Sequence, residues 1–303
     1  MFGFLNVSKP VGITSHDVVA KVRKLVGLKQ VGHAGTLDPK AQGVLPIALG
    51  CACRLMRFLA TDKVYLGEIL LGTRTTTDDL EGAIVAQVAV DANVANLLEA
   101  AVADLVGTYD QTPPAYSAVH HDGKRLYELA RTGRVPETIR SRQVTVDAID
   151  ILDVNLPVVR VRIKCSGGTY IRAIARDLGE KLGCGACLKT LIREQSGPFL
   201  IADAHSLESL AELAAGDRFT EAVIPPQKVL ALELVSVNKD AARLLSMGQY
   251  LPIASLSSAD KSEFNDGKLC LAMFEQSLVA VCSVTQDNEL HPEVVVANAR
   301  TLA

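Results

Sequence analysis

Nowhere in its 303 residues does this sequence hold an uninterrupted apolar run of about 18 residues, the minimum a helix needs to cross a bilayer. Its first residues, MFGFLNVSKPVG, lack a charged segment followed by an apolar one, so no secretory leader is expected. Cysteine is sparse: seven, an odd number scattered along the chain, make no disulfide framework, and reduced thiols are expected. The expectation is a soluble, unprocessed, cytoplasmic protein with no membrane partner. Net positive charge is also missing, and at −3 overall the chain is no uniformly basic nucleic-acid binder. There is no internal repeat and no low-complexity stretch. The glycine-rich segments GHAG and CSGGTY lack the Lys-Ser/Thr ending of a phosphate-binding loop, which speaks against nucleotide hydrolysis.

What is present is the material for one large domain and a smaller one, with 49% hydrophobic residues. The pattern is mixed α and β. A helix capped by Ser15 is expected over residues 16 to 26, with Val18, Val19, Val22, Leu25 and Val26 at helical spacing and Gly27 ending it. The run GVLPIALG, 43 to 50, reads as a buried strand leading into a helix near 51 to 60, and VYLGEILLG, 64 to 72, as another strand. Helices follow at 94 to 106 and at 123 to 133, the second bracketed by glycines. Over 157 to 164, Val159, Val161 and Ile163 alternate with Arg160, Arg162 and Lys164, which predicts a strand with one basic face. A helix over 169 to 182 puts Arg172 and Arg176 four apart on one side. Beyond a helix near 207 to 214, Pro225 and Pro226 mark a boundary, followed by a short helix near 239 to 246 and strands around 269 to 274, 277 to 284 and 292 to 297.

Charge is segregated along the chain. Residues 120 to 195 carry fourteen Lys and Arg against nine Asp and Glu, and residues 196 to 303 carry seven against fourteen. The basic middle, including Lys124, Arg125, Arg131, Arg134, Arg140, Arg142, Arg160, Arg162, Lys164, Arg172 and Arg176, either lines a groove for phosphates or is a solvated surface.

The segment GHAGTLDPKAQG, 32 to 43, concentrates the chemistry. Gly32, Gly35 and Gly43 free the backbone for unusual torsions, while Pro39 biases Asp38 toward an extended conformation from which its carboxylate projects. Taken alone, Asp-Pro is usually a turn. The order Gly32, His33, Gly35, Thr36, Leu37, Asp38, Pro39, Gly43, Leu45, Pro46, however, resembles the catalytic signature of the TruB family of tRNA pseudouridine synthases. FLNVSKPVGITS at 4 to 15, TPPAYSAVHHDGKRLYELARTG at 112 to 133 and CSGGTYIRAIARDLGEKLGCGACLKTLIREQSGPF at 165 to 199 resemble further segments of that family.

That resemblance implies an α+β pseudouridine synthase fold over residues 1 to 226, a central mixed, mainly antiparallel sheet flanked by helices, with a small, mostly β, PUA-like RNA-binding domain at 227 to 303. It implies isomerisation of the uridine at position 55 in the TΨC arm of tRNA. Asp38 would assist cleavage of the glycosidic bond, with Arg172 as its cationic partner. The base must leave its stack, and His33 would fill the vacated space. Tyr65 would stack on the uracil and help take the C5 proton, and Leu191 would wall the other side. The resemblance further assigns Lys9, Gly35, Thr36, Lys124, Arg125 and Tyr170 to substrate binding. No cofactor, no metal and no obligate protein partner is implied, and a monomer is expected. Without the resemblance, Tyr65 reads as a core aromatic, His33 as a satisfied loop histidine and Arg172 as an exposed helical arginine.

The sequence also allows three other readings. Cys184 and Cys187 form a CxxC that Cys51 and Cys53 might complete as a zinc site, but the spacing of the second pair is wrong. A non-catalytic tRNA-binding or folding module is a second alternative, and a guide-RNA-dependent pseudouridine synthase subunit a third. His120, Glu194 and Gln195 depart from the family's usual residues, changes that would weaken phosphate contacts rather than remove chemistry.

Overall fold

A computed structural model describes residues 1–136, 138–256 and 265–296. Seven strands form the main sheet: β1 (Gly3–Lys9), β2 (Gln42–Leu49), β3 (Lys63–Leu71), β4 (Gly107–Gln111), β5 (Arg142–Asn155), β6 (Val158–Cys165) and β7 (Ala186–Ser196). Their spatial order is β1-β2-β7-β3-β6-β5-β4, and the short strands Val31–His33 and Phe199–Leu200 extend β2 and β7. Neighbours are antiparallel except β2 and β7, which run parallel and pair only at Gln42 with Ile192 and Gly43 with Arg193. The mixed, mainly antiparallel sheet expected from the sequence is therefore observed.

Burial explains the patterns. On β2, Leu45, Ile47 and Leu49 pack with the helix α1 (Ser15–Val26), while Val44 and Ala48 face a second cluster with Leu55 and Phe199. A strand covered on both faces reads as a continuous apolar run. On β6, Val159, Val161 and Ile163 are buried under α2 (Val94–Ala103) and α4 (Ile171–Lys181), joining Leu98, Val102, Ile174 and Leu178 in one core.

Several expectations are corrected. The cap of α1 is Thr14, not Ser15: Thr14 and Asp17 form a reciprocal capping box, and Gly27 ends the helix at φ 65°. Residues 123 to 133 are not one helix. Asp122 and Gly123, both at positive φ, turn a hairpin between His120–His121 and Lys124–Arg125, and only Leu126–Arg131 (α3) is helical. The segment after β2 is a 3₁₀ helix, Gly50–Phe58. Arg160, Arg162 and Lys164 share the exposed face of β6 as expected, but the sheet face around them is mixed in charge, because Arg160 lies opposite Glu68 on β3 and Asp153 on β5, and Arg162 lies opposite Asp150 and pairs with Glu194 at 2.8 Å.

After α5 (Leu207–Ala215) a second sheet forms from β8 (Glu233–Ser236), β9 (Leu251–Pro252), β10 (Leu269–Phe274), β11 (Ser277–Val284) and β12 (Glu289–Val295), ordered β8-β10-β11-β12-β9, with α6 (Lys239–Ser246) packed on it. The strand placed at 292 to 297 thus starts earlier. Its last residue, with the rest of 297–303 and residues 257–264, lies outside the described residues. Leu271, Met273, Leu278, Val281 and Val294 of this unit share an apolar cluster with Phe4, Val44 and Phe199 of the main sheet and Leu55 of the 3₁₀ helix, and Arg57 meets Glu293 at 3.6 Å.

Candidate active site

The loop between Val31–His33 and β2 carries Asp38, and it is held from below. Ser15, released from capping duty, donates its hydroxyl to the Leu37 carbonyl at 3.1 Å and accepts the Leu37 N–H at 2.9 Å. Lys9 is fully buried, and its ammonium donates to the carbonyls of Ile13 at 2.7 Å, Pro10 at 3.0 Å and Pro39 at 3.3 Å. Burial pushes this lysine down to about 8, with Asp38 pulling the other way. Gly43 has φ 108°, and a Cβ there would stand 2.3 Å from the Arg193 carbonyl, so only glycine permits the close approach of β2 to β7. Gly35 also has positive φ, whereas Gly32 lies in a strand with no such torsion, contrary to expectation.

Above this base, Arg172, in the first turn of α4, places its Nε 2.9 Å from Asp38 Oδ2. Its two remaining nitrogens donate to the carbonyls of Thr77 and Tyr116, both at 3.0 Å. A second carboxylate, Asp79, stands 3.6 Å from the same Nε. The side chain of Arg172 is 7% exposed and that of Asp38 41%, so the guanidinium is a fixed strut and the carboxylate an open wall. One turn on, Arg176 pairs with Asp78 at 3.1 Å and donates to the Thr112 carbonyl at 2.9 Å, so both arginines of α4 clamp the segment 77–79.

Asp38, Arg172 and Leu191 line one cavity of about 520 Å³, together with Val11, Ala41, Asp79, Leu80 and Leu188. Leu191 sits on β7 opposite Gly67, and Tyr65, two residues along β3, faces Arg193 and Ile163 in the same core as Leu37 and Ala41. Burial raises the Tyr65 hydroxyl above its usual range, and the Arg193 guanidinium beside it opposes the shift. Tyr65 is not among the residues that line this cavity. His33 and Gly35 line a separate cavity of about 290 Å³ with Lys63, Arg57 and Met56. The His33 ring is 3.2 Å from the Thr36 hydroxyl and edge-on to His16 at 5.2 Å, and burial lowers its affinity for a proton, with His16 and Arg193 adding to the effect. Lys124 and Arg125 are exposed on the hairpin and line neither of these two cavities. Tyr170 precedes α4, tied to Gln111 at 2.8 Å, with the Arg142 guanidinium 4.5 Å over its ring.

Sequence reasoning missed three residues here. Arg193 is the largest fully buried side chain, donating to Val44 and Gly35 carbonyls at 2.7 and 2.9 Å, and an arginine within the otherwise apolar LIR was its only trace. The signal for Asp79 is two adjacent carboxylates after a threonine run, and Ser15, at the expected cap position, ties the loop instead. Among the described residues, no three His, Cys, Asp or Glu side chains are grouped to hold a metal, and all seven cysteines are free.

Comparison with known proteins places the chain in a family. Residues 23–171 match the TruB family pseudouridylate synthase N-terminal domain, and residues 172–231 the tRNA pseudouridylate synthase B C-terminal domain. A curated relative from Dehalococcoides mccartyi, called tRNA pseudouridine synthase B, is 46% identical over 297 residues, covering 97% of this chain and 96% of its own. Another of that name, from Synechocystis sp., is 45% identical over 264 residues, covering 84% of this chain and 87% of its own. Among solved structures, a chain of a Cbf5-Nop10-Gar1 complex superposes with a TM-score of 0.74 at 28% identity, covering 99% of this chain and 87% of that one. Fold and sequence both lie among the pseudouridylate synthases. Within that class, the chain belongs to the TruB family.

Proposed function

We propose that this chain converts uridine to pseudouridine at position 55 in the TΨC arm of tRNA. The carrying observation is the Asp38 carboxylate, held 2.9 Å from the Arg172 Nε on the wall of a cavity whose aliphatic side is formed by Val11, Ala41, Leu80, Leu188, Leu191 and Ile192. The names of the curated relatives support tRNA as the substrate. The reaction breaks the bond from N1 to C1′, turns the uracil, and bonds C5 to C1′; the C5 proton is lost to solvent and N1 gains one. One bond to C1′ replaces another, so the balance calls for no oxidant, reductant or hydrolytic water. Asp38 either attacks C1′ or removes a sugar proton, and Arg172 fixes the direction from which it does so. Leu191 walls the uracil, Tyr65 comes up from the core to stack on it and take the C5 proton, and His33 fills the space the base vacates.

Gly35 and Thr36 give the RNA a close approach to the loop, and the exposed Lys124 and Arg125, with Tyr170, hold the arm by its phosphates and shape. Lys9 acts from beneath, as the tie that sets the loop. Residues 227–303 form a PUA-like RNA-binding unit, and the chain works as a monomer in the cytoplasm.

The test is tritium release from C5-tritiated tRNA. Release by the wild type, abolished by Asp38→Asn, is expected; no release, or release undiminished in the variant, refutes the proposal. The likeness to a Cbf5 chain favours one competing reading, a guide-RNA-dependent subunit. Turnover of a plain tRNA transcript by the isolated chain excludes it.

A further inference from the structure

The cavity that holds Asp38 has an awkward charge for a site that receives RNA. Four carboxylates line it, Asp38, Glu68, Asp79 and Glu81, against three cations, Arg172, Lys40 and Lys189. Arg172 is already committed to Asp38 and to two carbonyls, so only the two lysines are available to a phosphate. Lys40 is exposed on the catalytic loop. Lys189 is instead neutralised, its Nζ 3.2 Å from Glu68 Oε2, with the two side chains 39% and 33% exposed.

The backbone shows why Lys189 stands there. On β7, Leu188 pairs with Ile69 and Thr190 with Glu68, and the register shifts between them. Lys189 is the extra, unpaired residue of a bulge, a device that re-aims a side chain out of the strand's alternation. Here it sends the ammonium to the cavity rim. Glu68 has a second cation in reserve, since Arg160 lies directly opposite it on β6.

We infer that Lys189 grips a backbone phosphate beside the flipped nucleotide and that Glu68 is the counter-ion it exchanges for that phosphate. In the free enzyme the pair keeps the rim neutral. When RNA arrives, the ammonium turns from carboxylate to phosphate, and Glu68 is left beside Arg160 rather than uncompensated. The inference rests on the reading of this cavity as the uridine site.

The experiment is a four-member cycle of wild type, Lys189→Gln, Glu68→Gln and the double variant in the full chain, read by filter binding of a TΨC stem-loop transcript across a salt series. Lys189→Gln should bind about two- to fivefold more weakly, and its log-log salt slope should be shallower by about 0.7–0.9, the mark of one lost phosphate contact. Glu68→Gln should bind about two- to fivefold more tightly, the usual range for releasing an exposed ion pair, and should have no effect once Lys189 is gone. In tritium release, Lys189→Gln should raise KM while the saturated rate holds. An unchanged salt slope in Lys189→Gln, equal tightening by Glu68→Gln in both backgrounds, or a fallen kcat with KM unmoved overturns the inference. Absence of wild-type tritium release would instead overturn the proposed reaction, and the binding cycle would still decide the role of the lysine.

Discussion

Replacing Arg172 by lysine keeps the charge beside Asp38 and removes the geometry. The guanidinium serves Asp38 at 2.9 Å and the Thr77 and Tyr116 carbonyls at 3.0 Å through three different nitrogens, in a side chain 7% exposed. An ammonium on a shorter stem has one nitrogen and cannot span these partners. Two hydrogen bonds are lost, at about 1–1.5 kcal/mol each, so roughly 2–3 kcal/mol of the energy that orients the carboxylate and its neighbouring segment disappears. If that orientation is needed in the transition state, the rate falls on the order of 30- to 160-fold. The assay is single-turnover tritium release at saturating enzyme, with urea unfolding in parallel to register the loosened 77–79 segment. Activity within threefold of wild type would show that a point charge suffices and would refute the argument from geometry.

Two further perturbations probe the base of the loop. Ser15→Ala leaves the buried Leu37 N–H without its acceptor, at a cost of about 1–3 kcal/mol. Urea unfolding should show that loss while helical content is kept, because Thr14 caps α1; a change under about 0.5 kcal/mol contradicts the latch. For Lys9, burial lowers the folded value from 10.5 to about 8. The unfolded chain therefore binds more protons between those values, so the stability due to this residue rises as pH goes from about 8 to 10.5. Lys9→Met should abolish that rise; parallel stability profiles for wild type and variant across the window would count against it.

The sequence made the strongly periodic elements legible. The valine stripe of α1, the alternation of β6 and the doubly buried β2 were visible because one rule, burial of a face or of both, controls each. Legibility failed where a second interaction competed. The turn Asp122-Gly123 split an expected helix, since a hairpin needs positive φ at two residues and a helix tolerates none. The strand β7 went unseen because Lys189, Arg193 and Glu194 interrupt it and two bulges break its period. In the site, Asp38, Tyr65 and Arg172 were named only by resemblance. Asp79 and Arg193 were not found, because a buried ion looks in sequence like an exposed one until its partners are brought to it.

The parallel seam between β2 and β7 sets the order in which the molecule can acquire its chemistry. Val44 and Arg193, which it brings into contact, lie 149 residues apart. The carboxylate is specified within the first forty residues, yet the wall that faces it, Leu188 to Ile192, lies on the last of the seven main strands to be synthesised. A chain emerging from the ribosome therefore carries Asp38 for most of its elongation with no cavity around it, and gains one only when β7 arrives to close the gap.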